Sequence, residues 1–287
     1  MLERLIKIQS DYYSELNLDQ IQPLYEGQNN YVYSDGQIIV RIPKNQLNNN
    51  KMKKEIETLR KINSHLPLKT PKLIAWHVDE DFTQSFMIYE NISGRNLSRD
   101  VFDTIDNKNM LAKQLANFLI TLHKNSDIQS MASNYESSDV LAYWKDLHKR
   151  FQDKLYTFMR EDAKKDMDNN FDLLYKSISK QAINNCLIHG DFGPTNILYD
   201  QEKQCLSGII DFSEMRVSDP AYDIAALIGF FGYGLSFAES MIPHYPEIEY
   251  YIERAKLYQT TFALQEALYG VEEDDQRAFE AGIERYI

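Results

Sequence analysis

The chain has 287 residues, a formal net charge of −12, and 43% apolar and 26% charged residues. This length suffices for one large domain or two lobes with separate cores, and the acidic balance argues against a nucleic-acid partner, which requires a basic face. No apolar run approaches the length that crosses a bilayer, and two cysteines, Cys186 and Cys205, are too few for a disulfide framework, so we expect reduced thiols and a cytoplasmic location.

The first third of the sequence predicts a helix followed by an antiparallel sheet. Apolar residues at helical spacing predict a helix from Leu2 to Leu16, and this segment lacks the form of a signal peptide. Asp35-Gly36 is a pair that favours a tight turn between two strands, because both residues tolerate positive φ. The elements expected in this region are strands at 21–25, 31–33, 37–43, 72–78 and 85–90, and a helix at 51–64.

Two places in this sheet could handle phosphate. The loop that contains Gly27 and Asn30 has one glycine, so alone it is a weak phosphate-binding signal and an ordinary β-turn is the alternative. Arg41 lies within the third strand, where protein kinases place a Lys that contacts the nucleotide phosphates. Arginine keeps the charge and can bind phosphate through two nitrogens, so we favour a phosphate-binding role over that of an exposed strand Arg. Lys44, just past Pro43, is an alternative.

Beyond Ile92 the pattern changes from strands to helices. Ser93-Gly94 breaks the last strand, and we therefore place a lobe boundary at Ile92, with a nucleotide-binding lobe at 1–92 and a helical lobe at 93–287. The helices expected in the second lobe are 110–124, 139–158 and 166–183.

The stretch from Cys186 to Phe212 carries the chemistry. It reads as an apolar run, a polar loop, a short hairpin and an acid. Asp191 is followed five positions later by Asn196, and Asp211 stands directly before Phe212. Protein kinases use the same order of a proton-accepting Asp, a magnesium-binding Asn and a magnesium-binding Asp. A surface hairpin with ordinary turn residues is the alternative, but the complete ordered set favours phosphoryl transfer.

These residues resemble the aminoglycoside phosphotransferases, antibiotic and small-molecule kinases that share the protein-kinase fold. The similarity is carried by the segments 189–196, 208–212 and 219–223. It implies a bilobal α+β enzyme with an antiparallel-sheet N-lobe and a mainly helical C-lobe. It further implies that Asp191 is the catalytic base, that Asn196 and Asp211 bind Mg²⁺, and that ATP or GTP donates the phosphoryl group.

The resemblance also implies roles in the first lobe. It matches Gly27 and Asn30 to phosphate-binding positions, and it places Glu55 opposite Arg41 as the partner of that side chain. The hinge from Glu90 to Ile92 would bind the nucleotide base through its backbone. In the second lobe, an Asp at the start of the helix after the hairpin, Asp219 or Asp223, would brace the catalytic loop.

The C-terminal part of the sequence bears on the acceptor. Residues 239–287 hold eleven acids and four bases, with several tyrosines among them. Such a surface suits a cationic small molecule, although a solvated acidic face and aromatic core packing explain the pattern equally well. We expect an aminoglycoside acceptor and a monomer or weak dimer. The alternatives are a macrolide, choline or homoserine-like acceptor, and a pseudokinase-like nucleotide-binding protein.

Overall fold

The structure is a computed structural model, and it describes residues 1–26, 29–62, 64–135, 139–180 and 183–287. The chain divides into two compact units, and each unit consists of two segments that are separate in sequence. Unit 1 consists of Met1–Leu97 and Thr195–Met215, and unit 2 consists of Ser98–Pro194 and Arg216–Ile287. The lobe boundary at Ile92 stays a prediction.

The strands, in chain order, are β1 (Gln22–Glu26), β2 (Asn30–Ser34), β3 (Ile38–Pro43), β4 (Leu73–His77), β5 (Phe86–Glu90), β6 (Arg95–Asn96), β7 (Cys186–Ile188), β8 (Ile197–Asp200), β9 (Cys205–Ile209) and β10 (Arg216–Ser218). The helices are α1 (Leu2–Asp11), α2 (Gln46–Ile62), α3 (Arg99–Asp103), α4 (Lys108–Lys124), α5 (Ser126–Gln129), α6 (Val140–Lys154), α7 (Glu161–Lys180), α8 (Ala221–Ile228), α9 (Leu235–Ser240), α10 (Ile248–Gln259), α11 (Phe262–Glu272) and α12 (Gln276–Ile283).

Unit 1 is built on a five-stranded antiparallel sheet of order β1-β2-β3-β5-β4. Alternate residues of a strand point to opposite faces, so each face of β3 joins a different core cluster. Val40 packs in the cluster that contains Leu5 and Ile8 of α1, whereas Ile39 packs with Met52 of α2. Arg41 has the parity of Ile39, and its side chain therefore lies on the face covered by α2.

Several helix ends differ from the sequence prediction, among them the start of α2 at Gln46 and the end of α6 at Lys154. The first helix ends at Asp11 instead of Leu16. The chain turns back there, and the side chain of Gln9 donates to the Leu16 carbonyl at 2.5 Å. Helix α7 begins at Glu161, five residues earlier than expected. Glu161 and Asp162 occupy its first turn, where negative charges favour the positive end of the helix dipole.

Unit 2 is mainly helical and buries an aromatic core. Trp144 of α6 stacks on Tyr258 of α10 with ring centroids 4.6 Å apart, and Phe171 of α7 lies beside them. Strands β7 and β10 pair antiparallel at its edge. The predicted α+β class is confirmed by the antiparallel sheet of unit 1 and the helices of unit 2. No helix within the described residues is long and apolar enough to span a membrane.

Candidate active site

A short hairpin in unit 1 brings Asn196 and Asp211 to the same end of two paired strands. Strands β8 and β9 pair with Ile197 opposite Ile209. One residue further out, the Ile210 N–H donates to the Asn196 carbonyl at 2.9 Å. Asn196 therefore enters the hairpin where Asp211 leaves it. Asn196 is buried, while the Asp211 side chain is 35% exposed.

The backbone of Asp211 is in the left-handed region, with φ of +63°. Residues with a Cβ rarely adopt this conformation, and Asp is among the few that tolerate it. The conformation turns the chain directly after β9. Strained positions of this kind concentrate at functional sites, where the surrounding structure holds them in place.

A buried ion pair lies next to Asp211 within unit 1. Arg41 Nη1 donates to Glu55 Oε1 at 2.9 Å, and Arg41 Nη2 lies 3.6 Å from Asp211 Oδ1. Glu55 Oε1 also accepts the backbone N–H of Phe212 at 3.1 Å. The Glu55 carboxylate on α2 therefore holds both the guanidinium of Arg41 on β3 and the backbone of Phe212, the residue after Asp211.

Burial dominates the electrostatics of Glu55. Its side chain is fully buried, and this desolvation raises its pKa to about 7 even though Arg41 and the Phe212 N–H stabilise the charged form. The nearby Asp211 carboxylate adds to the increase. Lys51, one helical turn before Glu55, forms a second link between α2 and this segment and donates to Glu214 at 2.7 Å.

The other predicted nucleotide-binding residues of unit 1 lie at the start of β2 and at the end of β5 or just after it. Asn30 opens β2 and is buried, and its Oδ1 has no hydrogen-bond partner among the described residues. Gly27, predicted to bind phosphate beside it, lies outside the described residues. Glu90 is exposed and pairs with Lys72 at 2.6 Å. Ile92 is buried against Gly208, where an added Cβ would lie 2.8 Å from the Ile92 side chain.

In unit 2, Asp191 lies at the end of a loop whose backbone is held by a buried acid. The His189 N–H donates to Asp223 Oδ2 and the Gly190 N–H donates to Asp223 Oδ1, each at 2.9 Å. Gly190 has φ of +83°, which glycine adopts without strain. The Asp191 N–H in turn donates to His189 Nδ1 at 3.3 Å. Asp191 itself is exposed, so its carboxylate is presented to solvent by a fixed loop.

Asp223 is kept ionised by its surroundings. Burial opposes its charge, but the hydrogen bond from His123 Nε2 at 3.0 Å and the Gly190 N–H outweigh burial and hold the pKa of Asp223 below its ordinary value. His123 Nδ1 lies 3.1 Å from the hydroxyl of Tyr245, which fixes the ring from its other side. The sequence analysis left Asp219 and Asp223 as alternatives for the acid that supports the loop before Asp191. In the structure, Asp223 is the one that contacts this loop.

Asp219 has a different function in the fold. Arg254 binds it through two nitrogens, with Nε at 2.6 Å and Nη2 at 3.1 Å, and the Tyr258 hydroxyl donates to it at 2.8 Å. Asp219 also accepts the Ala221 N–H and so caps α8. The sequence analysis missed this use of Arg254. The available signal was its spacing of four residues from Tyr258, which places both side chains on one side of a helix.

The acidic and aromatic C-terminal region divides between core and surface. Tyr245 and Tyr258 are fully buried, in agreement with the core-packing alternative. Some of the acids form surface ion pairs with lysines and arginines of unit 2. These pairs are Glu247 with Lys124, Glu253 with Lys256, and Glu272 with Arg150 and Lys154.

The donor atoms at the hairpin end suit a small hard cation. Mg²⁺ prefers carboxylate, amide and phosphate oxygens, and it commonly takes one or two protein ligands with the rest from waters and phosphates. Asp211 offers a half-exposed carboxylate and Asn196 an amide at the same hairpin end. Among the described residues, no group of three or more His, Cys, Asp or Glu side chains forms a self-contained metal site. The residues present fit an ion that is shared with a phosphate.

Comparison with known proteins decides the family. The sequence matches the phosphotransferase enzyme family, APH, over residues 20–258. The chain belongs to this family. The predicted family and the predicted activity of a phosphotransferase are therefore confirmed. The match includes the β3 strand, helix α2, the loop at 189–191, the hairpin and α8.

Individual relatives of this phosphotransferase are distant in sequence and similar in fold. The viomycin phosphotransferase of Streptomyces vinaceus is 23% identical over 208 residues, which cover 70% of this chain and 69% of the relative. The GDP complex of wild-type aminoglycoside 2'-phosphotransferase IIIa superposes with a TM-score of 0.88 at 22% identity, covering 99% of this chain and 96% of the other. A macrolide 2'-phosphotransferase from Brachybacterium faecium superposes with a TM-score of 0.71 at 15% identity, covering 98% and 96%. The predicted kinase-like fold is confirmed.

Proposed function

We propose that this phosphotransferase moves the γ-phosphoryl group of ATP or GTP to a hydroxyl of an aminoglycoside antibiotic. The observation that carries the proposal is the catalytic loop. Asp191 is exposed at its end, and two backbone N–H groups of the loop are fixed by the ionised, buried Asp223. An ionised carboxylate presented in this way is suited to orient a hydroxyl and accept its proton.

The reaction assigns one role to Asp191. Its carboxylate accepts the hydroxyl proton while the hydroxyl oxygen forms a bond to the γ-phosphorus. The bond between that phosphorus and the β,γ-bridging oxygen breaks, and a nucleoside diphosphate leaves. The proton resides on Asp191 at the end of the step and passes to solvent when the product departs.

The proposed donor site uses residues of unit 1. Arg41, held by Glu55, would bind the phosphates with its guanidinium, and Asn30 and Gly27 would contact them from the β1–β2 region. Asn196 and Asp211 would hold Mg²⁺, which neutralises phosphate charge when bound. The backbone of Glu90 and Ile92 would bind the nucleotide base.

The aminoglycoside acceptor is inferred from relatives and from the acidic C-terminal region. Several structurally similar proteins are aminoglycoside phosphotransferases, one of them bound to kanamycin and another to gentamicin. A macrolide acceptor is the second candidate, because macrolide phosphotransferases share the fold. We further propose a cytoplasmic protein without a nucleic-acid or membrane partner, acting as a monomer or weak dimer.

A substrate screen tests the proposal. Purified protein is incubated with Mg²⁺ and either ATP or GTP, and with kanamycin, gentamicin, streptomycin, viomycin, a macrolide, choline or homoserine, and release of nucleoside diphosphate is measured. We expect acceptor-dependent release with at least one aminoglycoside. Release with none of the aminoglycosides contradicts the proposed acceptor. Absence of release with every compound, together with no thermal shift on adding Mg²⁺ and nucleotide, contradicts a phosphotransferase of small molecules.

A further inference from the structure

Helix α2 presents two neighbouring stripes of side chains to the rest of unit 1. Met52 and Ile56 are buried in the apolar cluster on one face of the five-stranded sheet, and they fix the helix against that face. Lys51 and Glu55 each precede one of these residues by one position, so they lie four residues apart on a neighbouring side of the helix. This second stripe contacts the chain after β9.

The two residues of the second stripe hold the turn that follows β9. Glu55 Oε1 accepts the Phe212 N–H at 3.1 Å. Lys51 Nζ donates to Glu214 Oε1 at 2.7 Å, in an ion pair whose side chains are 30% and 39% exposed. Ser213 lies between these two contacts and is therefore held by α2 on both sides.

The backbone of Ser213 orients the carboxylate of Asp211. The Ser213 N–H donates to Asp211 Oδ1 at 3.4 Å, and the same oxygen lies 3.6 Å from Arg41 Nη2. This hydrogen bond is longer than the usual range of about 2.7–3.2 Å, so a small displacement of Ser213 breaks it. The φ of +63° at Asp211 adds to this sensitivity, because a strained backbone keeps its conformation only where its surroundings hold it.

The Lys51–Glu214 ion pair contributes more to local geometry than to stability. Ion pairs with this degree of exposure add little to folding, because water screens the charges and two long side chains lose their freedom. Glu55 already ties α2 to the turn, and the buried stripe already fixes the helix on the sheet. The ion pair adds a restraint on Glu214, one position beyond the N–H that orients Asp211.

We propose that Lys51 and Glu214 are positioning residues for the metal site. Their ion pair holds Ser213 in place, and the Ser213 N–H orients the Asp211 carboxylate toward the Mg²⁺ of a bound nucleotide. The inference rests on the proposed function, in which Asp211 holds Mg²⁺, and it adds two residues that act on the ion only through Asp211. Loss of either charge should weaken Mg²⁺-dependent nucleotide binding without removing a ligand.

Calorimetry with a β,γ-methylene analogue of ATP or GTP, in Mg²⁺ and in EDTA, measures this effect. Lys51→Ala and Glu214→Ala should each weaken binding in Mg²⁺ roughly three- to fivefold, the size expected for a partly exposed ion pair, and leave binding in EDTA near wild type. The double variant should lose no more than either single variant, because both remove the same contact. Exchanging the charges, with Lys51→Glu and Glu214→Lys together, should restore part of the binding. Lys53→Ala, at an exposed position of the same helix, is the matched control and should bind as wild type does.

Amide hydrogen exchange without metal or nucleotide gives an independent measure. The peptide that covers residues 211–215 should exchange faster in Glu214→Ala than in wild type, whereas peptides of α7 should not change. A merely structural ion pair would lower the melting temperature and leave the ratio of the nucleotide affinities in Mg²⁺ and in EDTA as in wild type. That result contradicts the positioning role.

The other outcomes overturn the inference in distinct ways. Weaker binding in Lys51→Ala alone, with Glu214→Ala like wild type, would assign Lys51 a direct contact with phosphate. Additive losses in the double variant would show that the two charges act separately. An equal loss in Lys53→Ala would indicate a general effect of net charge. Wild-type protein that binds no nucleotide in Mg²⁺ would remove the proposed function before any variant is compared, and the positioning role with it.

Discussion

Asp223 Oδ1 lies 2.9 Å from the backbone nitrogen of Gly190, so an acid on α8 fixes the loop that ends at Asp191. The second oxygen of the same carboxylate accepts the His189 N–H and lies 3.0 Å from His123 Nε2. Both oxygens are therefore used, and the carboxylate is completely buried. If Asp191 is the base, as proposed, Asp223 is a positioning residue, because it would act on the acceptor hydroxyl only through the geometry of the loop.

Replacing Asp223 should lower kcat far more than it raises KM. Asp223→Asn removes the charge that pairs with His123 and leaves one oxygen for two N–H donors, so the loop loses its fixed geometry. We expect kcat to fall at least tenfold and the unfolding free energy to fall by roughly 3 kcal/mol, as for a broken buried pair. Asp219→Asn is the control, because Asp219 is equally buried but is bound to Arg254. Equal kcat losses in the two folded variants would contradict the positioning role.

Removing the Asp191 carboxylate should abolish most turnover without weakening nucleotide binding. General-base catalysis commonly contributes 10²–10⁴-fold, so Asp191→Ala should lose about that much in kcat. The nucleotide affinity, measured by calorimetry with Mg²⁺ present, should stay near wild type. Asp166→Asn, an exposed acid on α7, serves as the control. A kcat near normal in Asp191→Ala would contradict its assignment as base.

Asp211→Asn separates the charge of Asp211 from its backbone conformation. Asparagine tolerates positive φ as aspartate does, so the fold at φ of +63° should survive, whereas the proposed metal ligand loses its charge. We expect nucleotide affinity to lose its dependence on Mg²⁺ while the melting temperature without nucleotide changes little. Asp211→Ala adds backbone strain of about 1–2 kcal/mol and should also lower that melting temperature. An unchanged Mg²⁺ requirement in Asp211→Asn would refute the ligand role.

The hairpin could be predicted from sequence because its contacts are local. Strands β8 and β9 are separated by a short polar turn, so their pairing follows from the apolar runs on either side. This pairing alone brings Asn196 and Asp211 to one end. Helix α2 and strand β3 were predicted for the same reason, and the distance between Arg41 and Glu55 agrees with the pairing inferred from the family resemblance.

Contacts between distant parts of the chain were harder to predict. Asp223 contacts the loop at 189–191, more than 30 residues away in sequence, and spacing alone left Asp223 equivalent to Asp219. Tyr245 is buried and therefore does not belong to an exposed substrate surface. The spacing of apolar residues along a helix does not show how deeply each of them is buried. The aromatic pair at Phe230 and Phe231 was not singled out, because an apolar run after an apolar helix reads as more core. The exposed fractions of the two side chains, 66% and 79%, show that the rings point outward.

The buried Glu55 should make the stability of the enzyme depend on pH. Burial raises its folded pKa to about 7, above the ordinary value of 4.5 expected in the unfolded chain. The folded state therefore binds more protons between these two values, and its stability falls as pH rises through this window. The stabilising contribution is complete below about pH 4.5 and is lost above about pH 7, with a total change of roughly 3 kcal/mol.

Urea denaturation at pH 5 and pH 8, without metal or nucleotide, measures this effect. The unfolding free energy of wild type minus that of Glu55→Gln should decrease by a few kcal/mol between the two pH values, because glutamine does not titrate. Glu57→Gln, a change at an exposed position of the same helix, should give a difference from wild type that hardly varies with pH. Parallel pH dependence in wild type and Glu55→Gln would show that Glu55 is ionised throughout this range, held so by Arg41 and the Phe212 N–H.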